Sequence, residues 1–224
     1  MRLSNPDAML NEAVRTQSEV ATMALMRDAL EPWGMPLVPT VYGWGPSGAD
    51  GEGGWVLMEL MPGEPLADKF KSLGTDEKRD IIRQMAQVFK AIQSHELPAT
   101  VRGFGGLNFD DDGNVVVGAT PIHGGGPCET LRELYSEYFR TQLAFADKCD
   151  VVQGWRDTPL RDRLDKFAAE KLGQLLESLP LEAKQTLVHA DLGMLGFFAF
   201  SLLSVGVVPN MNARWVEVLT RRNT

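Results

Sequence analysis

The segment from residue 187 to 192, LVHADL, constrains this chain more than any other part of the sequence. A short apolar strand here delivers a His and an Asp to the start of a turn. In phosphotransfer enzymes, an Asp placed in this way orients the attacking hydroxyl and accepts its proton. We therefore take His189 and Asp191 as the candidate catalytic residues.

The residues after Asp191 lack the partners that this chemistry needs. An amide and a second carboxylate downstream normally hold Mg²⁺ against the nucleotide phosphates. No Asp occurs between Leu192 and Thr224, and Gly196 stands where the amide is expected. The sequence thus predicts a catalytic scaffold on which transfer is impaired or lost, and it identifies no metal ligand.

Length and composition fit a globular protein with a hydrophobic core. The chain has 224 residues, of which 44% are hydrophobic and 23% are charged. Such a chain needs no disulfides for stability, and Cys128 and Cys149 lack the spacing of a metal site. We expect reduced thiols in a cytoplasmic protein. The net charge of −8 disfavours nonspecific binding to nucleic acid or to an anionic membrane.

One stretch, residues 192–208, is mostly apolar and carries no charge. It reaches the lower limit of about 17 residues for a membrane-spanning helix, and Arg214, Arg221 and Arg222 follow it. A C-terminal tail anchor is therefore one interpretation. The glycines and serines in the stretch favour the alternative of buried strand and loop, so we do not expect a membrane span.

The first part of the chain is predicted to be rich in strands. Helical spacing of apolar residues predicts a helix over residues 12–30, which Pro32 ends. Residues 37–44 and 55–60 then predict a hairpin with a long glycine-rich tip. The Pro-Gly pair at residues 62–63 breaks this pattern, and we place the boundary between two lobes there.

The second part is predicted to be mostly helical. Helices should begin near Thr75, Thr130 and Thr158, where a threonine precedes an apolar stripe. Between the first two of these helices, residues 104–118 predict a second hairpin with an Asp-rich turn. A strand over residues 185–188 then leads to the HAD motif.

Arg2 and Glu19 are the second candidate pair. Kinases place a strand cation on the α- and β-phosphates and hold that cation with a Glu from the following helix. Arg2 lies in a short strand-like start, and Glu19 lies in the predicted helix after it. The alternative is a terminal Arg and a solvent-facing Glu, since Arg does not simply replace Lys. We name both as candidate nucleotide-binding residues.

The end of the first predicted hairpin is the third candidate site. Its second strand is apolar and runs into a Met-Pro-Gly sequence. Exposed backbone after such a strand can bind the edge of an adenine, which leaves the side chains nearly unconstrained. We therefore name Met58, Glu59 and Met61 as candidate nucleotide contacts, with an ordinary linker between lobes as the alternative.

Two further motifs have simpler interpretations. Residues 43–48 match the pattern G-x-G-x-x-G, but a dinucleotide-binding fold would need a helix to begin there. Residues 108–113 resemble the start of a calcium loop, but its twelfth position is Ala119 instead of a bidentate Glu. We expect the first motif to belong to a loop and the second to form a hairpin turn.

Three glutamates share one face of the predicted third helix by their spacing of four residues: Glu129, Glu133 and Glu137. They could attract a cationic substrate. The simpler interpretation is a solvated face whose charge is balanced by Arg132 and Arg140.

Taken in order, these segments resemble the aminoglycoside phosphotransferase and choline-kinase-like family, particularly its fungal members. The resemblance is carried by residues 2–6, 18–23, 55–63 and 187–192, and it covers roughly residues 1–192. It implies a protein-kinase-like α+β fold of two lobes, with ATP and Mg²⁺ between them. Phosphate would pass to a hydroxyl of a small molecule, and a cationic acceptor remains one alternative.

The resemblance also implies roles for individual residues. Asp191 matches the catalytic base, Glu19 matches the helix acid, and Arg2 stands where the family commonly has Lys. The residues from Glu59 to Met61 match the adenine-binding hinge. Residues 1–61 would form an incomplete strand-rich N-lobe, residues 62–192 an incomplete helical C-lobe, and residues 193–224 an atypical apolar tail.

The sequence departs from the family pattern at both ends. It starts at the strand that should carry the cation, Gly196 replaces the metal-binding Asn, and the later metal-binding Asp has no counterpart. We therefore expect a truncated product, either a fragment of a longer active enzyme or a noncatalytic binding module. An uncovered sheet edge at residues 1–4 and an uncovered Leu172 and Leu175 stripe should follow, with poor solubility.

Overall fold

The protein is described by a computed structural model over residues 1–3, 10–35, 37–47, 53–61, 64–122, 124–151, 154–155, 158–179, 185–189, 197–199, 207–209 and 216–220. Its strands are β1 (Arg2–Leu3), β2 (Val41–Gly45), β3 (Trp55–Met58), β4 (Glu64–Pro65), β5 (Gly106–Phe109), β6 (Val115–Gly118), β7 (Gln185–His189), β8 (Phe197–Ala199), β9 (Val207–Pro209) and β10 (Val216–Thr220). Its helices are α1 (Glu12–Leu30), α2 (Leu66–Lys69), α3 (Thr75–Ser94), α4 (Leu131–Lys148), α5 (Leu160–Phe167) and α6 (Gly173–Glu177). This mixture of helices and small antiparallel sheets agrees with the predicted α+β class.

Helix α1 has the bounds that the sequence predicts. A turn of 3₁₀ helix containing Pro32 follows it, and Gly34 then takes a φ of +63° that glycine adopts without strain. Twelve of the 19 residues of α1 are buried, so the helix lies inside the protein and is covered on most of its faces. This explains why polar residues such as Thr16 and Ser18 are also buried.

The first sheet has the strand order β1-β3-β2, with both pairs antiparallel. The predicted hairpin is confirmed, but its strands are shorter than expected, because β2 starts at Val41 instead of residue 37. Pro39 precedes it, and proline has no N–H to donate to a strand ladder. The indole of Trp55 covers Gly45, where a Cβ would lie 2.5 Å from the indole nitrogen.

The helix starts show which caps the sequence identifies correctly. Helix α4 was predicted to begin at Thr130, which is instead its N-cap: the Thr130 hydroxyl accepts from the Glu133 N–H at 3.2 Å, and the Glu133 carboxylate accepts from the Thr130 N–H at 3.1 Å. For α3, the prediction of Thr75 was wrong by one residue, because the N-cap is Gly74. Its N–H donates to the Glu77 carboxylate at 2.7 Å.

The second predicted hairpin is confirmed as β5 and β6, which pair in antiparallel register. The Asp110 carboxylate closes the turn by accepting from the N–H groups of Asp112 at 3.1 Å and Asn114 at 2.8 Å. These bonds explain the role of Asp110, and the interpretation of this run as a hairpin turn is confirmed.

The main hydrophobic core joins elements from both predicted lobes. Its buried members come from α1, β3, α3, β5, β6 and β7 and include Val20, Met23, Val56, Val88, Ile92, Leu107, Val117 and Leu187. The predicted boundary at residues 62–63 lies outside the described residues and stays a prediction. The core nevertheless packs side chains from both sides of it against one another.

Strands lie near both ends of the uncharged stretch 192–208. β8 pairs with β4 on one side and with β9 on the other. Within the described ranges, none of the helices is long and apolar enough to span a membrane.

Candidate functional site

Arg2 and Glu19 lie in direct contact. Nη1 of Arg2 donates to Oε1 of Glu19, which joins β1 to the middle of α1. Arg2 pairs with Val56 in the sheet, and Val56 is buried against α1. The strand register thus turns the Arg2 side chain toward the helix, as the sequence-based hypothesis requires.

The carboxylate of Glu19 is desolvated. Its side chain is only 4% exposed, whereas that of Arg2 is 24% exposed. Burial raises the pKa of Glu19 to about 7, against the opposing influence of the positive charges of Arg2 and Arg15. Arg15 also donates to the Glu12 carboxylate at 2.7 Å. Near neutral pH, Glu19 is therefore close to its titration midpoint.

The residues after β3 differ in what they offer a ligand. The Glu59 N–H donates to the Thr40 carbonyl at 2.8 Å, and its carboxylate accepts from the Thr40 N–H at 3.1 Å. These hydrogen bonds hold the pKa of Glu59 below its usual value. The Glu59 side chain therefore fixes the neighbouring loop, a role that the sequence did not reveal.

Leu60 and Met61, at the proposed hinge, differ in exposure. Leu60 is 92% exposed, while the side chains of Met58 and Met61 pack against the main core. In the part of the chain that the structure describes, the main-chain groups of Leu60 and Met61 make no hydrogen bond. The adenine-binding hinge therefore stays a prediction.

The strand that leads to the HAD motif is firmly anchored. The Thr186 hydroxyl donates to the Gln93 carbonyl at 3.1 Å, and the Gln185 amide donates to the Gly103 carbonyl at 3.0 Å. Leu187 is fully buried, and the backbone of His189 ends the strand opposite Val216. The side chain of His189, together with Asp191 and Gly196, lies outside the described residues, so their position relative to Arg2 stays a prediction.

The acidic face of α4 is used within the protein. Besides the cap made by Glu133, the Glu137 carboxylate accepts from the Gly126 N–H at 2.9 Å and lies 3.6 Å from the sulfur of Cys128. Arg140 lies 3.6 Å from the Glu137 carboxylate as expected. Arg132 instead donates to the carbonyls of Glu177 and Leu179. The interpretation as a solvated face balanced by both arginines was therefore wrong for Arg132.

An apolar groove of about 720 Å³ lies between α4 and the helical segment formed by α5 and α6. Its walls include Tyr135, Phe139, Trp155, Leu164 and Leu172. Leu175 at its edge is 60% exposed, so the expected exposure of the Leu172 and Leu175 stripe is seen for Leu175. The sequence shows the leucine stripe but not the aromatic side chains opposite it.

A metal site is not identified among the described residues. No group of three or more His, Cys, Asp or Glu side chains in these ranges could hold a metal ion. The donor set expected around Asp191 falls outside them, and Gly196 offers no side-chain ligand. We therefore derive no catalytic step through Mg²⁺.

Comparison with known proteins extends the resemblance over most of the chain. The family model described as "Phosphotransferase enzyme family" matches residues 1–193. Two curated proteins of Aspergillus fumigatus, both named subtelomeric hrmA-associated cluster protein and belonging to strains CEA10 and Af293, are each 38% identical to it over 85 residues. The match covers 38% of this chain and 16% of each relative, so the chain spans a small part of their length. No solved structure matches the chain.

Proposed function

Because this chain belongs to the phosphotransferase enzyme family, we propose that it binds ATP through Arg2, Glu19 and the main chain after β3. The single observation that carries this proposal is the contact between Arg2 and Glu19. A strand cation held by a helix Glu is the arrangement that kinases use on the α- and β-phosphates.

The arrangement of the sheet supports this proposal, because Arg2 lies on the strand next to β3, which leads into the proposed hinge. Arg2 pairs with Val56 of β3, and Glu59 follows three residues later. At about 3.3 Å per residue, the cation and the hinge lie about 10 Å apart along the strand. A bound nucleotide extending along β3 would reach both, with its base at the backbone of Leu60 and Met61.

The charges also fit a nucleotide. Arg2 is partly exposed and would contact phosphate oxygens, while Glu19 holds its guanidinium from the buried side. Arg can bind phosphate through two parallel N–H groups. Bound ATP would supply the phosphoryl group, and the backbone at Met61 would orient the base.

For the acceptor, the proposal follows the family. Asp191 is the proposed base that accepts a proton from a hydroxyl of a small molecule, and His189 precedes it in the motif. Gly196 has no side-chain amide that could bind a metal ion, so we propose that phosphate transfer is impaired or lost in this chain. We propose a cytoplasmic location.

Two alternatives keep the same nucleotide site. The first is a noncatalytic binding module, favoured by Gly196 and by the lack of an Asp after Leu192. The second is a fragment of a longer active phosphotransferase, in which other residues complete the metal site. Both alternatives include nucleotide binding. Measurements of ATP turnover, and not of ATP affinity, are therefore needed to distinguish them from the proposal.

The decisive experiment measures ATP affinity by titration calorimetry for the wild type, Arg2→Met and Arg83→Met. Arg83 forms an exposed ion pair with Asp80 on α3 and serves as the matched control. Loss of a charged hydrogen bond to phosphate should weaken binding about tenfold or more for Arg2→Met. Equal affinity of all three proteins would contradict the proposed site.

Turnover is tested separately by comparing ATP consumption of the wild type with that of Asp191→Asn. Residual activity above the variant would support a surviving catalytic role for Asp191. Identical rates, with ATP binding intact, would favour the noncatalytic module.

A further inference from the structure

We propose that the hairpin of β5 and β6 clamps α1 and so positions Glu19 against Arg2 before any nucleotide binds. Gln17 is the positioning residue through which this clamp acts. The inference deepens the proposed function and rests on it only for the statement that Arg2 and Glu19 belong to a nucleotide site.

Two hydrogen bonds tie α1 to this hairpin and the residues after it. The Gln17 amide donates to the carbonyl of Phe109, the last residue of β5, at 3.0 Å. The N–H of Asn11, at the start of α1, donates to the carbonyl of Pro121 at 2.8 Å. The helix is therefore held at its first residues and again two residues before Glu19.

Packing reinforces these hydrogen bonds. Leu107 of β5 is fully buried in the same core as Val20 of α1. The ring of Phe109 stacks on Trp44 of β2, with 5.8 Å between ring centroids and 25° between planes. The hairpin thus contacts both the helix and the sheet that carries Arg2, and outward movement of α1 would expose apolar surface.

This arrangement differs from a mobile regulatory helix. In protein kinases, the position of the corresponding helix controls whether the cation and the Glu meet. Elements that move have few buried contacts, whereas α1 buries twelve of its residues. A clamp of this kind makes the contact between Arg2 and Glu19 a permanent part of the fold.

The test uses variants that loosen the clamp without enlarging any side chain. Gln17→Met keeps the chain length and removes the donor to Phe109. Phe109→Leu keeps the carbonyl and removes the ring that stacks on Trp44. Gln87→Met, at an exposed position of α3, is the matched control.

Amide hydrogen exchange of the full nucleotide-free chain is the first readout. Loss of one ordinary hydrogen bond should speed exchange in α1 about fivefold in Gln17→Met, and exchange in α3 should stay unchanged. Phe109→Leu should act in the same direction, and Gln87→Met should leave α1 unchanged. Unchanged α1 exchange in both clamp variants would overturn the proposal, as would equal acceleration throughout the chain.

The pKa of Glu19 is the second readout, because a general loss of stability would not by itself change the pKa of this one carboxyl group. Carboxyl resonances in NMR should show a pKa near 7 in the wild type and a lower one in Gln17→Met, where water reaches Glu19. In the wild type, α1 exchange should be the same with and without ATP. Protection that arises only after ATP is added would also overturn the clamp.

These outcomes are separable from those of the proposed function. The clamp variants are compared with the wild type in the absence of nucleotide, so unchanged exchange in them leaves the question of ATP binding untouched. Unchanged ATP affinity in Arg2→Met would reject the nucleotide site while leaving the clamp of α1 to stand or fall on exchange.

Discussion

The guanidinium of Arg2 meets the carboxylate of Glu19 across 17 positions of sequence, and the acidic partner is almost fully buried. Removal from water opposes ionisation of Glu19 more strongly than the two nearby arginines favour it. This contact should therefore make the stability of the protein depend on pH, in addition to being a candidate ligand site.

Stability should fall as the pH rises through neutrality. The pKa of Glu19 is about 7 in the folded protein and near 4.5 in an exposed chain. The folded state thus binds more protons between these values, and the free energy of unfolding should decline across this window by about 3 kcal/mol from this group. Urea unfolding at pH 4.5 and pH 8 measures the effect.

Two variants isolate that contribution. Glu19→Gln cannot titrate, so its midpoint should change less between the two pH values than that of the wild type. Glu31→Gln, at an exposed position just after α1, should behave like the wild type. An identical pH dependence in Glu19→Gln would contradict the assignment.

Removal of Arg132 should destabilise the helical end of the protein. Its Nη2 donates to the Glu177 carbonyl at 2.7 Å and to the Leu179 carbonyl at 3.0 Å, where α6 ends. Charged hydrogen bonds to such carbonyls contribute about 1.5–3 kcal/mol. We expect a loss of that size for Arg132→Met in chemical denaturation. Arg140→Met, which loses a surface ion pair with Glu137, should lose about 0.5 kcal/mol or less.

Two glycines should respond to alanine in opposite directions. Gly173 lies in helical conformation with open space around its Cβ position, so Gly173→Ala should gain about 0.5–1 kcal/mol. Gly103 has a φ of +93°, and a Cβ there would lie 2.4 Å from the Cys128 carbonyl oxygen. Gly103→Ala should therefore lose more than about 1 kcal/mol. Thermal melts of both variants test this pair, and a shared sign would refute it.

Cys128 should resist alkylation in the folded protein. Burial, together with the negative charge of Glu137, raises the pKa of its thiol to about 11. The reactive thiolate is therefore scarce at pH 8. Peptide mapping after iodoacetamide treatment should find Cys149 labelled first, and denatured protein should label at both. Equal labelling in the native state would show that Cys128 is accessible and ionised.

Local patterns predicted much of the secondary structure. The bounds of α1 follow from apolar spacing and Pro32, and α4 begins one residue after its predicted start at Thr130. The Asp-rich turn after β5 was also recognisable. These features depend on residues close in sequence, for which cap and turn chemistry is informative.

Contacts between distant residues were mostly beyond local patterns. The bond from Gln17 to Phe109 joins positions 92 apart, and no periodicity marks a glutamine for that role. The same holds for Arg132, whose partners lie at the end of α6. The pairing of Arg2 with Glu19 was predictable because kinases place a cation on a strand and its Glu partner on the helix that follows. The hydrogen bond of the Glu59 carboxylate to Thr40 was not predictable, since the hinge hypothesis concerned only the backbone of these residues.

The shared core that joins α1 and β3 to α3, β5 and β7 limits how such a protein can diversify. Val20 and Leu107 lie on opposite sides of the predicted boundary, yet each fills space that the other shapes. If the first sheet and α1 were replaced by those of a relative, their apolar surfaces would fit the hairpin of that relative and not β5 and β6 of this protein. Inheritance should therefore preserve these segments together.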